Sequence, residues 1–476
     1  MKPLSEYKHI HCIGIGGIGL SAIAEILLAR SYNVSGSDMK ESDMTEKLRA
    51  AGATVYIGHS AENVKGADLV VYSNAIPSEN PEMKAAREAG IECVTRATAL
   101  GDLMAECKES IAVSGTHGKT TTTSMIALLL DHAGLDPTIL VGGNLGEIGG
   151  NCKVGGKDYF VTEACEYMDS FLSLRPKTKI ILNIDSDHLD YFKDIDHIVR
   201  SFDTFARLVP PDGLVIAFAQ NPFVASILNG LNCRVLTFGF MDSCDYYAKN
   251  ISFSTNGMPA FDLCFRGEKL ARLQLSVPGE HNIANALASA ACARTLGVPM
   301  SVISSTLEGY SGTARRFDVL GITTTGAKII TDYGHHPTEI KATLKAAGNV
   351  PHKDVWCIFQ PHTYTRTRAL FHDFSNAFDA ADHLILAKIY PAREKDIYGI
   401  SSVDLEQEII RTHPSKDVRY FDEFDDIART VLNEAKQGDL VLVRGAGDID
   451  RVGDRILALD QSRTRFPHGI GVLGDL

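Results

Sequence analysis

The sequence lacks an excess of positive charge, and this absence limits the partners that the chain attracts. Its 47 lysine and arginine residues are outnumbered by 59 aspartate and glutamate residues, which gives a net charge of −12. Nucleic acids and anionic membrane surfaces are bound by basic patches, because phosphate groups dominate their electrostatics. We therefore expect no nucleic-acid partner. Small anionic ligands are not excluded, since a few local donors suffice to bind them.

Long hydrophobic runs are also missing. The most apolar helical stretch, residues 124–130, is far shorter than the ~20 residues that a membrane span requires. Residues 1–8 are polar and have no apolar signal-peptide core. None of the ten cysteines belongs to a CxxC pair or has metal-site spacing, so we expect reduced, mostly buried thiols. A cytoplasmic protein without membrane insertion is predicted.

No internal repeat with a short fixed period and no low-complexity segment is present. With 476 residues, of which 45% are hydrophobic and 22% charged, the chain is expected to form two to four soluble domains. Strand-like runs alternate with helical patterns throughout, which indicates parallel α/β layers with a more β-rich part near residues 246–275. We predict three α/β domains with the boundaries 1–108, 109–313 and 314–476.

The predicted elements follow the apolar runs and their periodicity. The predicted strands are 9–13, 33–36, 53–56, 69–72, 111–113, 159–162, 179–182, 214–217, 246–253, 260–265, 271–275, 328–331, 355–359, 383–387 and 439–443. The predicted helices include 21–30, 45–51, 82–89 and 283–296.

A glycine-rich loop follows the first predicted strand. Gly14, Gly16 and Gly19 form a GxGxxG pattern, and Asp38 follows the next strand at the usual distance of a ribose ligand. Glycines permit a tight turn and let backbone N–H groups and the helix N-terminus approach a pyrophosphate. The pattern does not separate NAD from a nucleotide sugar, and a turn that binds nothing is the structural alternative.

A second glycine loop, Gly115-Thr116-His117-Gly118-Lys119-Thr120, ends in the Gly-Lys-Thr of a P-loop but lacks the first glycine of the strict pattern. Its amides would cradle phosphates, Lys119 would screen the transferred phosphoryl group, and the Thr120 hydroxyl would hold Mg²⁺. Two phosphorylated ligands on one chain favour a joining reaction over simple hydrolysis. A turn without a ligand is again the alternative.

Metal-binding side chains follow two later strands. Glu163 comes directly after residues 159–162, and Asp185, Asp187 and His188 follow residues 179–182. Ligands gather at the carboxyl ends of strands in open α/β sheets. Oxygen donors with one imidazole suit Mg²⁺ or Mn²⁺, so a metal site is predicted here. A solvated acidic loop is the alternative.

These features together resemble the Mur ligases of bacterial cell-wall synthesis, from about residue 9 to residue 448. The resemblance rests on blocks in the same order: residues 14–19, 115–123, 163–167, 183–188, 278–285, 314–318, 332–339, 359–362 with Arg366, and 445–448. It implies an N-terminal Rossmann-like domain that binds UDP and a central P-loop ATPase-like α/β domain with an added β-sheet. It also implies a C-terminal Rossmann-like domain that receives the amino acid.

The resemblance further implies a reaction. ATP would phosphorylate the lactyl carboxylate of UDP-N-acetylmuramate, and the amine of L-alanine would attack the acyl phosphate to form an amide in peptidoglycan precursor synthesis. A related ligase adds a recycled tripeptide to the same sugar nucleotide, and only family resemblance separates the two. Because ligands on three domains must meet at one carboxylate, we expect a large closing motion.

The positions that match the family predict the site residues. The UDP-sugar site is expected to include Gly14, Gly16, Gly17, Ile18, Gly19, Asp38 and Ser73. The ATP site is expected to include Gly115, Thr116, Gly118, Lys119, Thr120, Thr121, His281, Asn282, Asn285, Arg316 and Asp332. Thr120, Glu163 and His188 are the predicted metal ligands, and Lys119, His188 and Arg316 the predicted catalytic residues. The predicted amino-acid pocket consists of Tyr333, His335, His362 and Arg366.

Arg366 is assigned to the alanine carboxylate, because a guanidinium group pairs bidentately with a carboxylate. Two alternatives concern neighbouring pairs. His335-His336 is also compatible with a helix-entry turn that exposes one ring, although His335 is the predicted functional residue, and Arg315-Arg316 with a solvated linker pair.

Two functions from other classes are also compatible with parts of the sequence. A nicotinamide-dependent dehydrogenase would use the first glycine loop but would leave Lys119, Glu163 and His188 without a role. A P-loop switch or motor module would leave the first loop and the pocket around His362 and Arg366 unused.

Overall fold

The structure is a computed structural model that describes residues 2–73 and 75–465. The chain divides into two compact units. The first includes the chain up to Ile184 together with Val199–Phe238 and Ala288–Val302. The second includes Asp185–Ile198, Gly239–Leu287 and the chain from Ile303 onward. The predicted domain boundaries near residues 108 and 313 stay predictions.

Strands and helices alternate along most of the chain. The strands are β1 (His9–Ile13), β2 (Asn33–Asp38), β3 (Thr54–Ile57), β4 (Leu69–Tyr72), β5 (Glu92–Thr95), β6 (Glu109–Ser114), β7 (Thr138–Leu145), β8 (Gly150–Lys153), β9 (Tyr159–Glu163), β10 (Thr178–Ile181), β11 (Leu214–Phe218), β12 (Arg234–Gly239), β13 (Tyr246–Phe253), β14 (Pro259–Phe265), β15 (Glu268–Gln274), β16 (Asp318–Ile322), β17 (Lys328–Asp332), β18 (Val355–Phe359), β19 (His383–Ala387), β20 (Asp417–Phe421) and β21 (Leu440–Arg444).

The helices lie mostly between consecutive strands. They are α1 (Ile18–Ala29), α2 (Asp43–Ala50), α3 (Pro81–Glu88), α4 (Arg96–Ala105), α5 (Lys119–His132), α6 (Ile195–Arg207), α7 (Pro222–Ile227), α8 (Glu280–Thr295), α9 (Met300–Gly309), α10 (Pro337–Gly348), α11 (Tyr364–Ala369), α12 (Phe371–Ser375), α13 (Ser402–Thr412), α14 (Phe424–Glu434) and α15 (Asp450–Arg465). Within the described residues, no helix is both long and apolar enough to span a membrane.

The first unit contains a five-stranded parallel sheet with the spatial order β3-β2-β1-β4-β5. The chain runs outward from β1 to β3 on one side and from β4 to β5 on the other. This reversal between β1 and β4 is a topological switch point, where open α/β sheets bind ligands at the carboxyl ends of the strands. The first glycine loop follows β1, and Ser73 follows β4.

A second sheet of the first unit carries the second glycine loop. Its strands lie in the order β12-β11-β10-β6-β9-β7-β8, and every pair except β7–β8 is parallel. The loop follows β6, while Glu163 ends β9 and Asn183 follows β10. Since β9 and β10 flank β6, the sheet brings Glu163 and the second glycine loop to one edge.

The second unit contains the antiparallel strands β13, β14 and β15 and a six-stranded sheet with the order β16-β17-β21-β18-β19-β20. The six-stranded sheet is parallel except for β16. Two separate clusters of buried apolar residues pack on it, one with α10 and α13 and the other with α14 and α15. This burial on both faces explains why all five residues of β18 are apolar.

Each predicted strand corresponds to a strand of the structure, with small differences at the ends. The expectation of parallel layers is wrong for β7–β8 and for β16, whereas β13–β15 form the expected β-rich part as an antiparallel sheet. The strands β5, β7, β8, β12, β16 and β20 are not among the predicted elements. The β8 segment illustrates the reason, because Gly-Asn-Cys-Lys contains no β-branched or aromatic residue.

The ten cysteines are free, as predicted, but the prediction that they are mostly buried overestimates their burial. Five are buried, four are partly exposed, and Cys165 is exposed.

Candidate functional site

The last two residues of β2 hold the first glycine loop. The carbonyl of Ser37 accepts hydrogen bonds from the N–H groups of Gly14 (2.8 Å) and Ile15 (3.0 Å). The Oδ2 atom of Asp38 accepts one from the N–H group of Gly16 (2.9 Å). Three consecutive loop amides are therefore used inside the protein. Asp38, which was predicted to bind a ribose, is turned toward the loop in this structure.

The amides that remain for a ligand lie at the start of α1. Among the described residues, the N–H groups of Ile18 and Gly19 have no hydrogen-bond partner. The first N–H groups of a helix have no partner within the helix, and they carry the positive end of its dipole. A phosphate at this helix start would therefore meet two donors and a favourable field. Ser73 lies after β4, and its Oγ accepts a hydrogen bond from the N–H group of Ala75 (3.3 Å).

A cavity of about 200 Å³ opens beside this helix start. Its lining includes Ile18 and Gly19 from α1, Arg96 from α4, and Glu163 at the end of β9. The cavity thus joins the first glycine loop to an acidic strand end of the neighbouring sheet.

Arg96 is a candidate ligand residue that the sequence analysis missed. A Cβ atom added to Gly19 would lie only 2.9 Å from Nη1 of Arg96, so the glycine lets the guanidinium approach the helix start. Within the described part of the chain, Arg96 has no hydrogen-bond or ion-pair partner. It directly follows β5, so recognising that strand from the sequence would have identified Arg96, since ligands bind at strand ends.

The second glycine loop leads directly into α5. Gly118 precedes the helix with a φ of 85°, a left-handed conformation that favours glycine. Asn183, after β10, clamps the loop: its Oδ1 accepts the His117 N–H group (2.8 Å), and its Nδ2 donates to the His117 carbonyl (3.0 Å). The loop is therefore fixed by a side chain from a neighbouring strand. Thr120 and Thr121, which follow Lys119, are half-buried.

The predicted catalytic lysine is engaged in the structure. Nζ of Lys119 donates to the carbonyls of Gly115 (2.5 Å) and Thr116 (3.1 Å) and to Oε2 of Glu166 (3.0 Å). Burial favours the neutral amine, but the Glu166 carboxylate outweighs it and raises the pKa of Lys119 above its usual value. Lys119 is therefore a cation whose charge Glu166 balances. Glu166 is 2% exposed, and the sequence analysis gave it no role.

Glu163 is half-buried at the end of β9, as the sequence predicts. Its Oε1 atom accepts a hydrogen bond from the N–H group of Gly142 (2.6 Å), whereas Oε2 has no hydrogen-bond partner among the described residues. A Cβ atom on Gly142 would lie 2.8 Å from both carboxylate oxygens, so glycine keeps this space open. A carboxylate with a free oxygen and the Thr120 hydroxyl are oxygen donors that suit Mg²⁺.

His188, the third predicted metal ligand, belongs to the second unit. It has a φ of 52°, and its N–H group donates to Oδ1 of Asp187 (2.7 Å). This left-handed backbone is uncommon for a residue other than glycine and often occurs at functional sites.

The predicted nucleotide residues of the second unit surround the start of α8. Nδ2 of Asn282 donates to the Pro278 carbonyl (2.7 Å), and Nδ2 of Asn285 donates to Oδ1 of Asn282 (3.0 Å). His281 is exposed between these buried amides. The asparagines therefore order the helix start, and the imidazole is left accessible to a ligand.

Asp332 is the last residue of β17, and both of its carboxylate oxygens accept hydrogen bonds. Its Oδ1 atom accepts from the N–H group of Gly334 (3.0 Å), and Oδ2 accepts from the N–H group of Phe317 (3.1 Å). Nη2 of the fully buried Arg444 lies 2.7 Å from Oδ1. Asp332 thus connects the linker at Phe317 to the end of the strand.

The interpretation of Arg315-Arg316 as a solvated pair is contradicted. Nη2 of Arg315 donates to the carbonyls of Gly445 and Gly447, both at 3.0 Å. The guanidinium of Arg316 lies 5.3 Å from the centre of the Tyr333 ring. Both arginines are held against the six-stranded sheet.

The four residues of the predicted amino-acid pocket lie together. The Tyr333 and His335 rings are 5.6 Å apart at 90°, and the His335 and His362 rings are also 5.6 Å apart. Nε of Arg366 donates to Oδ1 of Asp187 (2.9 Å), and its Nη1 lies 3.0 Å from Nδ1 of His362. Within the described residues, Nη2 of Arg366 has no hydrogen-bond partner.

Burial and nearby charges set the protonation of this pocket. Burial, together with the Arg366 cation, lowers the pKa of His335 to about 3 and that of His362 to about 4. Burial would raise the pKa of the Asp187 carboxyl, but Arg366 holds it well below the usual value. Near neutral pH the pocket therefore combines one guanidinium, one carboxylate and two neutral imidazoles.

The alternative of an exposed ring in His335-His336 is not borne out. His336 is 4% exposed and caps α10 at its N-terminus, where its Nδ1 accepts the N–H group of Thr338 (3.2 Å). His335 is partly buried. A further missed residue is Tyr390, whose ring stacks on His362 at 5.6 Å and 23°. Its place on a loop after β19 gives no sequence signal.

Family models match three consecutive parts of the chain. The model "Mur ligase family, catalytic domain" matches residues 9–108, "Mur ligase middle domain" residues 113–293, and "Mur ligase, glutamate ligase domain" residues 315–447.

Individual relatives cover almost the whole chain. The UDP-N-acetylmuramate–L-alanine ligase of Alkaliphilus metalliredigens is 50% identical over 95% of this chain and 98% of its own. The solved structure of UDP-N-acetylmuramate–alanine ligase from Thermotoga maritima has a TM-score of 0.76 at 29% identity and covers 96% of this chain and 99% of its own. A murein peptide ligase from Psychrobacter arcticus has a TM-score of 0.67 at 27% identity, with coverages of 95% and 98%.

Proposed function

Because the chain belongs to the Mur ligase family, we propose that it is an ATP-dependent ligase that joins L-alanine to UDP-N-acetylmuramate. The amide forms through an acyl phosphate on the lactyl carboxylate, in peptidoglycan precursor synthesis in the cytoplasm. The observation that carries the proposal is the 50% identity over 95% of the chain to a relative named for this activity. The cavity that joins the first glycine loop to Glu163 supports it, since sugar nucleotide and ATP must meet.

The sugar nucleotide is assigned to residues 1–108. The free N–H groups of Ile18 and Gly19 bind its diphosphate, and Arg96 neutralises the negative charge beside them. A guanidinium without a partner among the described residues is suited to this, because charge-assisted hydrogen bonds to phosphate are strong and directional. Asp38 binds the ribose or holds the loop, and Ser73 lies at the other side of the switch point.

ATP is assigned to the second glycine loop in residues 109–313, with His281, Asn282, Asn285, Arg316 and Asp332 completing its site. Thr120 and Glu163 would hold Mg²⁺, with His188 as a ligand of a second ion. A divalent cation supplies charge neutralisation to the phosphates when bound. Lys119 then turns from Glu166 toward the phosphoryl group, and its positive charge stabilises the transferred group.

L-Alanine is assigned to the pocket of residues 314–476. The free Nη2 of Arg366 binds its carboxylate, and Asp187 holds the guanidinium in place. Since the imidazoles of His335 and His362 are neutral, they do not repel the ammonium group of the arriving amino acid. Catalysis then depends mainly on bringing a carboxylate, a phosphoryl donor and an amine together in the correct orientation.

A substrate panel tests the proposal. Purified protein with ATP, Mg²⁺ and UDP-N-acetylmuramate should release phosphate when L-alanine is added, and mass spectrometry should detect the alanyl product. Glycine, L-serine and the recycled tripeptide are the comparison substrates. If only the tripeptide is turned over, the acceptor is the tripeptide and not L-alanine. The tripeptide is included because the chain is also similar to a murein peptide ligase. Hydride transfer with NAD and no phosphate release would instead support the dehydrogenase.

A further inference from the structure

A buried carboxylate lies beneath the first glycine loop and has no role in the proposed chemistry. Glu82, in the first turn of α3, is fully buried. Its Oε2 atom accepts a hydrogen bond from Oγ of Ser37 (2.5 Å) and lies 3.1 Å from Nδ1 of His59. Its Oε1 atom accepts from Nδ2 of Asn63 (2.6 Å) and from the N–H group of Ser60 (3.4 Å). Three donors and one imidazole nitrogen, from two separate segments, therefore converge on one side chain; the imidazole nitrogen also lies 3.0 Å from Oγ of Ser37.

Glu82 is ionised despite its burial. Burial alone would raise its pKa, but the nearby His11 ring and the hydrogen bonds from Ser37 and Asn63 lower the pKa to about 2. Nε2 of His11 lies 3.8 Å from the carboxylate and has no other partner in the described part of the chain. A buried carboxylate is costly unless its oxygens are fully satisfied, so this arrangement holds its donors firmly.

Ser37 connects this carboxylate to the ligand loop. Its hydroxyl donates to Glu82, while its carbonyl accepts the N–H groups of Gly14 and Ile15. The next residue, Asp38, accepts the N–H group of Gly16. A change at Glu82 is thereby transmitted through one residue to the loop that precedes α1.

We infer that Glu82 is a positioning residue for the sugar nucleotide: it fixes Ser37, and through Ser37 it fixes the glycine loop and the start of α1. The inference rests on the proposed function and specifies how the diphosphate site is held rigid. Because Glu82 is fully buried, it acts through Ser37 and not by direct contact with the ligand. His59, Ser60 and Asn63 tie the segment after β3 to the same carboxylate, so both sides of β2 depend on it.

The substitution Glu82→Gln tests this role, because it keeps the size of the side chain and replaces one acceptor oxygen with a donor. The KM for UDP-N-acetylmuramate should rise about tenfold, whereas kcat and the KM values for ATP and L-alanine should stay within about twofold. Calorimetric titration with UDP alone should show the same weakening. Glu88→Gln, at the exposed end of the same helix, is the matched control and should change nothing.

Ser37→Ala removes the hydroxyl but keeps the carbonyl that accepts the loop amides. It should weaken UDP binding in the same direction, and adding Glu82→Gln to it should cause little further loss, since both act through one hydrogen bond. If Glu82→Gln does not fold, Ser37→Ala still tests whether the hydrogen bond between Ser37 and Glu82 positions the loop. Unchanged UDP affinity in a folded variant, or a parallel rise of all three KM values, would overturn the inference. If the wild-type protein forms no alanyl product, the proposed function fails, while UDP titration still judges the role of Glu82.

Discussion

The two glycine loops, both of which we propose to bind phosphate, are held in place in different ways. Three amides of the first loop are used inside the protein, by Ser37 and Asp38, and its ligand donors lie at the start of α1. The second loop is clamped by Asn183 and contains a lysine that is paired with Glu166. The first loop is therefore fixed by hydrogen bonds to β2 and contains no charged residue, whereas the second contains a cation that is paired with Glu166.

The difference extends to the buried charges under each loop. Glu82, below the first loop, accepts hydrogen bonds from three donors and lies beside Nδ1 of His59. Lys179 lies on β10, the strand that leads to Asn183, and is fully buried. Its Nζ donates a hydrogen bond to the Phe205 carbonyl and lies over the Phe205 ring. Burial lowers the pKa of Lys179 to about 7. Glu82, whose oxygens accept several hydrogen bonds, holds the first loop in place. Lys179, which has few partners, makes the stability of the protein depend on pH.

Loss of the Lys119 charge should have the largest effect on activity. Lys119→Ala should reduce kcat by roughly 10²–10³-fold, because it removes charge stabilisation of the transferred phosphoryl group. UDP affinity, measured by calorimetry, should be unchanged because the first loop is intact. Lys84→Ala, an exposed change on α3, serves as the control. A variant with wild-type kcat would show that Lys119 only supports the loop structurally.

Arg96→Ala should weaken substrate binding at the proposed sugar-nucleotide site. The expected result is a rise of roughly 10–100-fold in the KM for UDP-N-acetylmuramate, the range of a lost charge-assisted hydrogen bond. The KM for ATP should not change. Steady-state kinetics with each substrate varied separately checks this, with Arg87→Ala on the exposed side of α3 as the matched control. Equal rises in both KM values would place Arg96 outside the sugar-nucleotide site.

A pair of substitutions sharpens the contrast between the loops. Asn183→Ala should raise the KM for ATP about tenfold, and Asp38→Ala should raise that for the sugar nucleotide by about the same factor. Each should leave the other KM unchanged, because the two residues hold different loops. If either variant altered both constants, the loops would be coupled and the comparison would fail.

The smallest effect on activity is expected at Lys179, where stability should respond instead. A lysine with a lowered folded-state pKa makes the protein more stable as pH rises from about 7 toward the unfolded value of ~10.4, by at most about 1.4 kcal/mol per pH unit. Lys179→Met should flatten this rise in urea unfolding measured between pH 7 and 9. Lys249→Met, at an exposed position, should keep the wild-type slope, and an unchanged slope for Lys179→Met would contradict the assignment.

Local sequence patterns predicted the strands that carry the ligand loops. Apolar runs such as β4, β18 and β19 were located correctly to the residue, because burial on both faces leaves a nearly continuous apolar signal. Short strands such as β5 and β8 lack that signal, and missing β5 also meant missing Arg96. The antiparallel pairing of β7 with β8 depends on contacts across the sheet that no local pattern contains.

The sequence by itself determined the family and the three-domain α/β fold, because spacing and residue type suffice for those. Only the tertiary structure decided how each loop is held. The hydrogen bond from Ser37 to Glu82 spans 45 positions, and that from Lys119 to Glu166 spans 47. Such pairs form only when the folded sheets bring distant segments together. The residues that hold the two loops, Glu82 and Glu166, are therefore set by packing and cannot be read from a sequence motif.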